Sequence, residues 1–166
     1  MSDMEKMTKK SQEAMQAAAQ LAEKRQHPSV EPEHLLKSLL EQSDGGVVPR
    51  LFEKMGATVK TCLQDLDNKL EKFPKVSGSS SRVVASQRLV KVFNLSEEEA
   101  HHMGDTYIST EHFLLALLKA NDSEMATLFK KWNLKLDAVT KAIAEIRGNQ
   151  KVTDDEPENK YEVLKK

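Results

Sequence analysis

The sequence predicts an all-α fold built from two tandem four-helix repeats. Apolar residues recur at helical spacing along most of the 166-residue chain, and no convincing alternation of apolar and polar residues indicates a strand. The 6 glycines and 5 prolines are few, and they fall near predicted helix boundaries. The third observation is a repeated helix opening, because VEPEHLLKSLL at residues 30–40 returns as ISTEHFLLALL at residues 108–118.

The first repeat is predicted to contain four helices. The first begins near Thr8 and ends before Pro28, because the residue that precedes a proline disfavours the α conformation. The second begins at Pro32, since proline is well tolerated in the first helical position. The short third helix, VVPRLFEKM, ends at Gly56, and the fourth covers residues 58–72.

The second repeat follows a Ser/Gly-rich segment, KVSGSSSR at residues 75–82, whose composition is typical of a flexible connector. Ser86 is the predicted N-cap of its first helix, which ends at Gly104, and Ser109 is the predicted N-cap of the second. Two more helices follow, and the last ends at Gly148. The second half therefore repeats the helix order of the first.

The two halves also align residue by residue. Five of the eleven positions in the quoted segments are identical, namely a glutamate, a histidine and three leucines. Chance would give about one, even with leucine as common as it is. Further along the chain, Leu51-Phe52 returns as Leu128-Phe129. We therefore predict a tandem duplication, with repeat one at about residues 4–74 and repeat two at about 82–148.

Composition argues against several classes of function. The 25 basic and 26 acidic residues give a net charge of −1, which argues against a nucleic-acid-binding surface. No apolar run approaches the roughly 18–20 residues that span a bilayer, and the N-terminus lacks the apolar core of a signal peptide. The single Cys62 excludes an internal disulfide and fits a reducing compartment. We expect a soluble, cytoplasmic protein with neither nucleic acid nor membrane as a partner.

Catalytic and metal-binding motifs are not evident in the sequence. His34 and His112 each follow a glutamate, but neither has a second histidine one turn later, as a helical zinc motif requires. Local hydrogen bonding in the first turn is therefore the favoured interpretation for both histidines. The preceding Glu33 and Glu111 would complement the positive end of each helix. No P-loop of the form G-x-x-x-x-G-K-[ST] is present, so we expect a chain without catalytic residues, metal or cofactor.

Several segments resemble the Clp N-terminal repeat, the accessory domain of Clp-type AAA+ chaperones, over residues 4–148. EPEHLLKSLL, FPKVSG, SQRLVKVFNLSEEEA and GDTYISTEHFLLALL are most similar to ClpB-type disaggregases. The resemblance implies a Clp N-terminal domain at residues 1–148 with pseudo-twofold symmetry. Residues 149–166 are polar and charged, and they resemble the mobile linker that leads to the first ATPase module in that family. The chain is therefore expected to be an N-terminal domain separated from its ATPase module.

Four polar residues enter the expected binding surface through this resemblance. Positions associated with substrate engagement in the family correspond to Thr8, Asp105 and Glu111. His112 follows, at a position where the family often has an apolar residue. Capping of helix ends is the alternative role for Thr8, Asp105 and Glu111, because residues of these types are common at helix boundaries.

The resemblance further implies an apolar groove on the first helix of repeat two, at Val92, Phe93 and Leu95. The residues themselves support an exposed apolar surface here. Phe93 and Leu95 are two positions apart on a helix, so they project about 200° from each other and cannot both point into the core. One of the two is therefore expected on an exposed apolar surface, which usually marks an interaction site.

Two functions follow as alternatives. In the first, the domain binds unfolded or aggregated polypeptide through a shallow apolar groove, without catalysis, and passes it to an ATP-driven ring. In the second, it is an adaptor-docking or regulatory domain that binds a folded partner or co-chaperone. A stand-alone Clp-repeat protein is a third hypothesis. The resemblance places ATP, magnesium and hexamer formation in a parent ATPase, and the fragment itself is expected to be monomeric.

Overall fold

The computed structural model describes residues 3–42, 46–77, 83–148, 150–158 and 161, so that part of the predicted connector, 78–82, lies outside the described residues. Eight α-helices are present among the residues described, and the all-α prediction is confirmed. The helices are α1 (Lys9–Lys24), α2 (Pro32–Leu40), α3 (Val47–Lys54), α4 (Val59–Glu71), α5 (Gln87–His102), α6 (Thr110–Lys119), α7 (Ser123–Lys131) and α8 (Leu136–Arg147). A 3-10 turn, Met4–Lys6, precedes α1, and two short strands are β1 (Ser29–Val30) and β2 (Val84–Ala85).

The helices of the second half reproduce those of the first. Both α1 and α5 contain 16 residues, and their first residues are 78 positions apart. The packing is repeated as well, since α1 lies against α2 as α5 lies against α6, and α2 contacts α4 as α6 contacts α8. The predicted tandem duplication of a four-helix unit is thus confirmed.

Backbone pairing crosses between the repeats in both directions. Strand β1 pairs in parallel with β2 and aligns Val30 with Ala85, while Met7 forms a separate parallel bridge with Ile108. Val30 and Ile108 occupy equivalent positions of the two repeats, and so do Met7 and Ala85. The two pairings are therefore related by the pseudo-twofold axis. The strands were not predicted, because two residues are too few to show an alternating pattern.

The first helix of each repeat begins directly after this pairing. The Thr8 N–H donates to the Ile108 carbonyl, and the Ser86 N–H donates to the Val30 carbonyl, each at 3.0 Å. The side chains of Thr8 and Ser86 then accept a bond from the backbone N–H three residues later, at 3.1 Å in both cases. These bonds satisfy donors that a helix N-terminus leaves free, and they confirm Ser86 as an N-cap.

The hydrophobic core lies around α2 and α6. Every residue of α2 is buried, as are residues 110–117 of α6. The Phe52 and Trp132 rings, one from each repeat, have centroids 5.8 Å apart. Buried apolar residues of both repeats form one continuous cluster, so the repeats share a single core.

The C-terminal strap, which we define as residues 150–158 and Tyr161, packs on the helical domain. Val152 and Tyr161 are fully buried, and the Thr106 N–H donates to the Val152 carbonyl at 2.7 Å. The expectation that residues 149–166 form a linker separate from the domain is therefore wrong for the described part of this segment. A few buried side chains anchor a segment whose overall composition is polar.

Candidate functional site

An apolar groove lies between the N-terminal halves of α1 and α5. It has a volume of about 250 Å³. Met7 and Ala85 occupy equivalent positions of the two repeats, as do Met15 and Phe93, so the pseudo-twofold axis relates the two sides of the groove. The lining residues are Asp3, Met4, Met7, Met15, Ala85, Leu89, Val90, Phe93 and Asn94.

The structure places the three predicted apolar residues of α5 in different surroundings. Phe93 is half-buried and lines the groove, whereas Leu95 is half-buried and packs against the core without lining it. The placement of Val92 in the groove is wrong, because this side chain is 1% exposed and faces the core. Val90, which is 39% exposed, lines the groove beside Phe93 and was missed. Its spacing of three residues from Phe93 is the signal that could have identified it.

The chemistry of the groove suits apolar ligands of variable shape. Three of its nine lining residues are methionines, whose unbranched side chains adapt to irregular surfaces. Two other depressions, of about 360 and 340 Å³, are lined mainly by charged and polar side chains. The groove is also smaller than the roughly 300–1,000 Å³ of typical small-molecule pockets. It can therefore accommodate a few apolar side chains.

The four predicted polar residues do lie together, but in a buried cluster. Thr8, Glu111 and His112 are fully buried, and the Asp105 side chain is also inaccessible. The expectation that they lie on an exposed binding surface is wrong. Their polar atoms instead bond to helix ends and to one another, which removes the cost of burying them.

His112 links the start of α6 to the preceding loop. The Ser109 N–H donates to His112 Nδ1 at 2.8 Å, and His112 Nε2 lies 2.7 Å from Asp105 Oδ2. The neutral tautomer that fits these contacts carries its proton on Nε2 and donates it to the carboxylate. This arrangement confirms the interpretation of the histidine as a first-turn residue with local hydrogen bonds.

The equivalent histidine of the first repeat has a less polar partner. The Glu31 N–H donates to His34 Nδ1 at 2.8 Å, and His34 Nε2 lies 2.8 Å from His27 Nδ1. His27 stands at the position that Asp105 occupies in the second repeat. Burial, assisted by the nearby His27, lowers the pKa of His34 to about 4, so this ring is neutral at physiological pH.

Arg147, at the end of α8, binds two of the predicted residues. Its Nε donates to Glu111 Oε2 at 2.9 Å and its Nη1 donates to Asp105 Oδ2 at 2.8 Å. Burial alone would raise the pKa of Asp105, but hydrogen bonds from His112 and the Val152 N–H, together with Arg147, lower it overall. Sequence reasoning missed Arg147. Its place four residues after the buried Ile143 could have indicated a charge on the inner face of α8.

Glu158 of the C-terminal strap completes the cluster and was also missed. The Thr8 hydroxyl donates to Glu158 Oε2 at 2.9 Å, and the Thr110 N–H donates to the same oxygen at 3.1 Å. Burial and the neighbouring Glu111 carboxylate raise the pKa of Glu158 to about 7. Pro157, a residue favoured at the start of a helix, was the one sequence signal for local structure here.

The described residues contain neither a metal-binding cluster nor a membrane-spanning helix. No group of three or more His, Cys, Asp or Glu side chains in the described part of the chain is arranged to hold a metal ion. In the same residues, no helix combines the length and the apolar character that crossing a membrane requires.

A family model, the Clp repeat (R) N-terminal domain, matches residues 6–158. The chain belongs to this family. The resemblance seen in the sequence is therefore confirmed. The matched range also extends beyond residue 148, in agreement with the packing of the strap against the Clp N-terminal domain.

The similarity to curated relatives points to one group of chaperones. The chain is 55% identical over 160 residues to the chaperone protein ClpB of Bdellovibrio bacteriovorus. This match covers 96% of the chain but only 19% of the relative, so the chain spans about a fifth of the length of that protein. It is thus similar to one part of a much longer chaperone.

Solved structures share the fold at low sequence identity. The Hsp104 N-terminal domain from Candida albicans superimposes with a TM-score of 0.80 at 19% identity, covering 92% of this chain and 98% of that one. A ClpV N-domain in complex with a VipB peptide gives a TM-score of 0.68 at 21% identity, with coverage of 86% and 87%. These similarities establish the architecture of a Clp N-terminal domain.

Proposed function

We propose that this Clp N-terminal domain binds unfolded or aggregated polypeptide through the groove between α1 and α5 and delivers it to an ATP-driven ring. The observation that carries the proposal is the groove itself, an open apolar depression lined by methionines, Val90 and Phe93. An unfolded chain presents apolar side chains without a fixed sequence or shape. A small, adaptable apolar surface can bind many such chains, because hydrophobic contact is non-directional.

The size of the groove implies weak binding. Burying one Leu- or Phe-sized side chain contributes about 1.5–3 kcal/mol, and the groove accommodates only a few. Association and ordering costs offset much of this contribution. A dissociation constant of about 1 μM would require about 8 kcal/mol of net binding free energy. We therefore expect micromolar or weaker affinity, which allows a bound polypeptide to leave.

A titration of the isotope-labelled domain with a permanently unfolded protein tests the proposal. Reduced, carboxymethylated α-lactalbumin is a suitable ligand, and native α-lactalbumin is its folded control. We expect the unfolded form alone to shift the NMR signals of Met7, Val90 and Phe93. Equal shifts with the native form, or shifts confined to residues outside the groove, would contradict the proposal.

Two matched substitutions sharpen this test. Val90→Glu places a charge in the groove and should weaken binding at least tenfold. Val76→Glu introduces the same charge at a similarly exposed valine outside the groove, since Val76 and Val90 are 43% and 39% exposed. It should leave binding unchanged. Equal losses for the two variants would show that net charge, rather than the groove, controls binding.

An adaptor-docking function is the second candidate, and one comparison favours it. A ClpV N-domain with the same architecture has been solved in complex with a VipB peptide. The corresponding hypothesis is that this groove recognises one defined segment of a folded partner. Scanning overlapping peptides separates the two functions. Binding of many unrelated apolar peptides supports the chaperone role, whereas selection of a single sequence from a folded partner supports docking.

The cellular setting belongs to the proposal as well. The ClpB similarity supports a longer, ATP-hydrolysing parent in the cytoplasm, with ATP and magnesium bound by an ATPase module. Hexamer formation would belong to that module, and the isolated domain would be a monomer. Sedimentation of the domain by itself and of the full-length product of the gene tests both statements.

A further inference from the structure

The C-terminal strap supplies a carboxylate that the second repeat lacks. In one half of the pseudo-dyad, the Ser86 hydroxyl donates to Glu31 Oε1 at 2.6 Å. In the other half, the equivalent Thr8 hydroxyl donates to Glu158 Oε2 at 2.9 Å. The position equivalent to Glu31 in the second repeat is Ser109, which has no carboxylate. Glu158, which lies outside the second repeat, therefore supplies the carboxylate that Glu31 supplies in the other half.

The strap connects the two repeats without belonging to either. The Lys9 N–H, at the start of α1, donates to the Asp155 carbonyl at 2.9 Å. In the second repeat, the Thr106 N–H donates to the Val152 carbonyl at 2.7 Å, and the Val152 N–H donates to Asp105 Oδ1 at 2.9 Å. Detaching the strap would break these bonds but would unwind none of the eight α-helices. It is therefore a separable element of the fold.

The described charges around Glu158 do not balance. Arg147 binds Glu111 and Asp105, and no ion pair to the buried Glu158 is present among the described residues. Within the described residues, Glu111 Oε1 and Glu158 Oε1 are both buried without a hydrogen-bond partner. Among the described residues, the titratable groups that interact with Glu158 are Glu111 of α6 and Tyr161 of the strap, while Arg147 of α8 binds Glu111.

A proton on Glu158 would relieve this imbalance. Protonation removes one of the two neighbouring negative charges and turns one carboxyl oxygen into a donor. Burial, followed by the Glu111 charge, raises the pKa of Glu158 from 4.5 to about 7, which is the direction expected when the neutral form fits the site better. The same two causes also raise the pKa of Tyr161, so its hydroxyl stays neutral.

We propose that the C-terminal strap is a detachable latch, docked while Glu158 carries a proton and released when that carboxyl ionises. Release would free the connection between this domain and the residues that follow it. It would also remove a contact from Thr8, whose neighbour Met7 lines the groove. Docking and release of the strap would thus affect one wall of the groove.

The expected pH dependence has a definite sign. Below the ordinary value of 4.5, Glu158 is protonated in both states, so docking has its full strength. Between 4.5 and about 7, the docked carboxyl keeps a proton that the released one loses, so docking weakens roughly tenfold per pH unit. Above about 7, the effect levels off. Asp105, with its lowered pKa, is protonated only in acid below this window.

Amide hydrogen exchange followed by NMR measures the docking directly. The Lys9 and Thr106 amides bond to the strap, whereas the Leu117 amide lies in the buried helix α6 and reports global opening. After correction for intrinsic exchange rates, protection of the first two amides should fall roughly tenfold per pH unit up to about pH 7. Protection of Lys9 and Thr106 should stay below that of Leu117, because undocking is a smaller opening than global unfolding, which also releases Glu158 and shares its pH dependence. Protection of Lys9 and Thr106 that is independent of pH would overturn the proposal.

Two substitutions within the strap separate the latch from a general effect of charge. Glu158→Gln keeps the shape of the side chain but cannot ionise, so the pH dependence at Lys9 and Thr106 should disappear. Glu156→Gln removes the same charge at an exposed neighbour and should retain the wild-type dependence. Wild-type behaviour in Glu158→Gln would refute the latch. If that variant does not fold, the carboxyl carbon shift of Glu158 in the wild-type domain gives the answer, and a midpoint near 4.5 refutes it.

Discussion

Arg88 of α5 and Glu33 of α2 join the two repeats through a bidentate ion pair in which the carboxylate is buried and the guanidinium is partly exposed. Nη1 and Nη2 of Arg88 each donate to one Glu33 carboxylate oxygen at 3.0 Å. Nε of Arg88 also donates to Asp122 at the start of α7, at 2.6 Å. Glu33 is completely buried, so its charge depends on an arginine of the other repeat. The first-turn glutamate therefore fixes the repeats together as well as complementing its own helix end.

Removing Arg88 should destabilise the whole domain. Arg88→Met keeps most of the side-chain volume but leaves Glu33 as a buried, unpaired charge. We expect the free energy of unfolding to fall by up to about 3–5 kcal/mol, the usual cost of leaving a buried charge unpaired, and by less where solvent reaches the space left by the partly exposed Arg88. Urea denaturation followed by circular dichroism measures the loss.

Lys91→Met is the matched control for this prediction. Lys91 lies on the same helix but is exposed, so its replacement should change the stability by no more than about 0.5 kcal/mol. Because the repeats share one core, both variants should still unfold in a single transition. Similar losses for the two variants would show that the Arg88 network contributes little.

His34 should make the domain sensitive to mild acid. Its pKa falls from 6.5 to about 4 in the folded state, so the unfolded chain binds more protons between these values. The contribution of His34 to stability is therefore fully present above 6.5 and should decrease as the pH falls through this window, by at most about 1.4 kcal/mol per pH unit, whereas the contribution of Glu158 increases. Protonating Nδ1 would also oppose the bond that it accepts from the Glu31 N–H.

His34→Gln tests this origin of the acid sensitivity. Glutamine cannot titrate, so between about pH 6.5 and 4 the stability of this variant should fall less, or rise more, with decreasing pH than that of the wild-type domain. The residual slope would combine the contribution of Glu158 with that of His27, whose pKa is also lowered, first by burial and then by nearby cations. His102→Gln, at an exposed position of α5, should keep the wild-type slope. A slope unchanged in His34→Gln would exclude this histidine as the cause.

Removal of the C-terminal strap should destabilise a domain that was expected to end at Gly148. A chain of residues 1–148 loses the buried Val152 and Tyr161 and exposes Arg147, whose guanidinium carbon lies 5.6 Å from the Tyr161 ring centroid. We expect a loss of about 2–5 kcal/mol in mildly acidic buffer, from the lost burial of these side chains. Thermal or urea unfolding measures it.

The comparison for this truncation is a chain that ends at Tyr161. It keeps every described residue of the strap and should retain most of the stability that the chain of residues 1–148 loses. If the chain of residues 1–148 were as stable as the chain that ends at Tyr161, the strap would make no net contribution to the free energy of unfolding. The difference in unfolding free energy between the chain of residues 1–148 and the chain that ends at Tyr161 should also become smaller as the pH rises towards 7. The reason is that ionised Glu158 weakens docking of the strap.

Local signals in the sequence predicted the architecture well. The N-cap Ser86 and the Gly56 and Gly104 helix ends have short-range causes, so they could be recognised without any tertiary information. The duplication was visible because the buried leucines of α2 and α6 cannot vary freely. The shared core was not visible, because it depends on contacts between the repeats.

The candidate site was harder to predict, for two physical reasons. Val92 and Val90 are chemically identical, and only the direction in which α5 packs decides that the first is buried and the second is exposed. The polar cluster depends on pairing between distant segments, such as Thr8 with Glu158 and Arg147 with Glu111. Nothing in the local sequence of a glutamate shows that its partner is separated from it by most of the chain.

The exchange of backbone pairing between Met7 and Ile108 on one side, and Val30 and Ala85 on the other, makes each repeat incomplete by itself. A single repeat would expose the edge that its counterpart normally covers. Two separate copies could cover each other's edges only as a swapped homodimer, whose assembly depends on protein concentration. Joining both copies in one polypeptide makes this mutual completion independent of dilution.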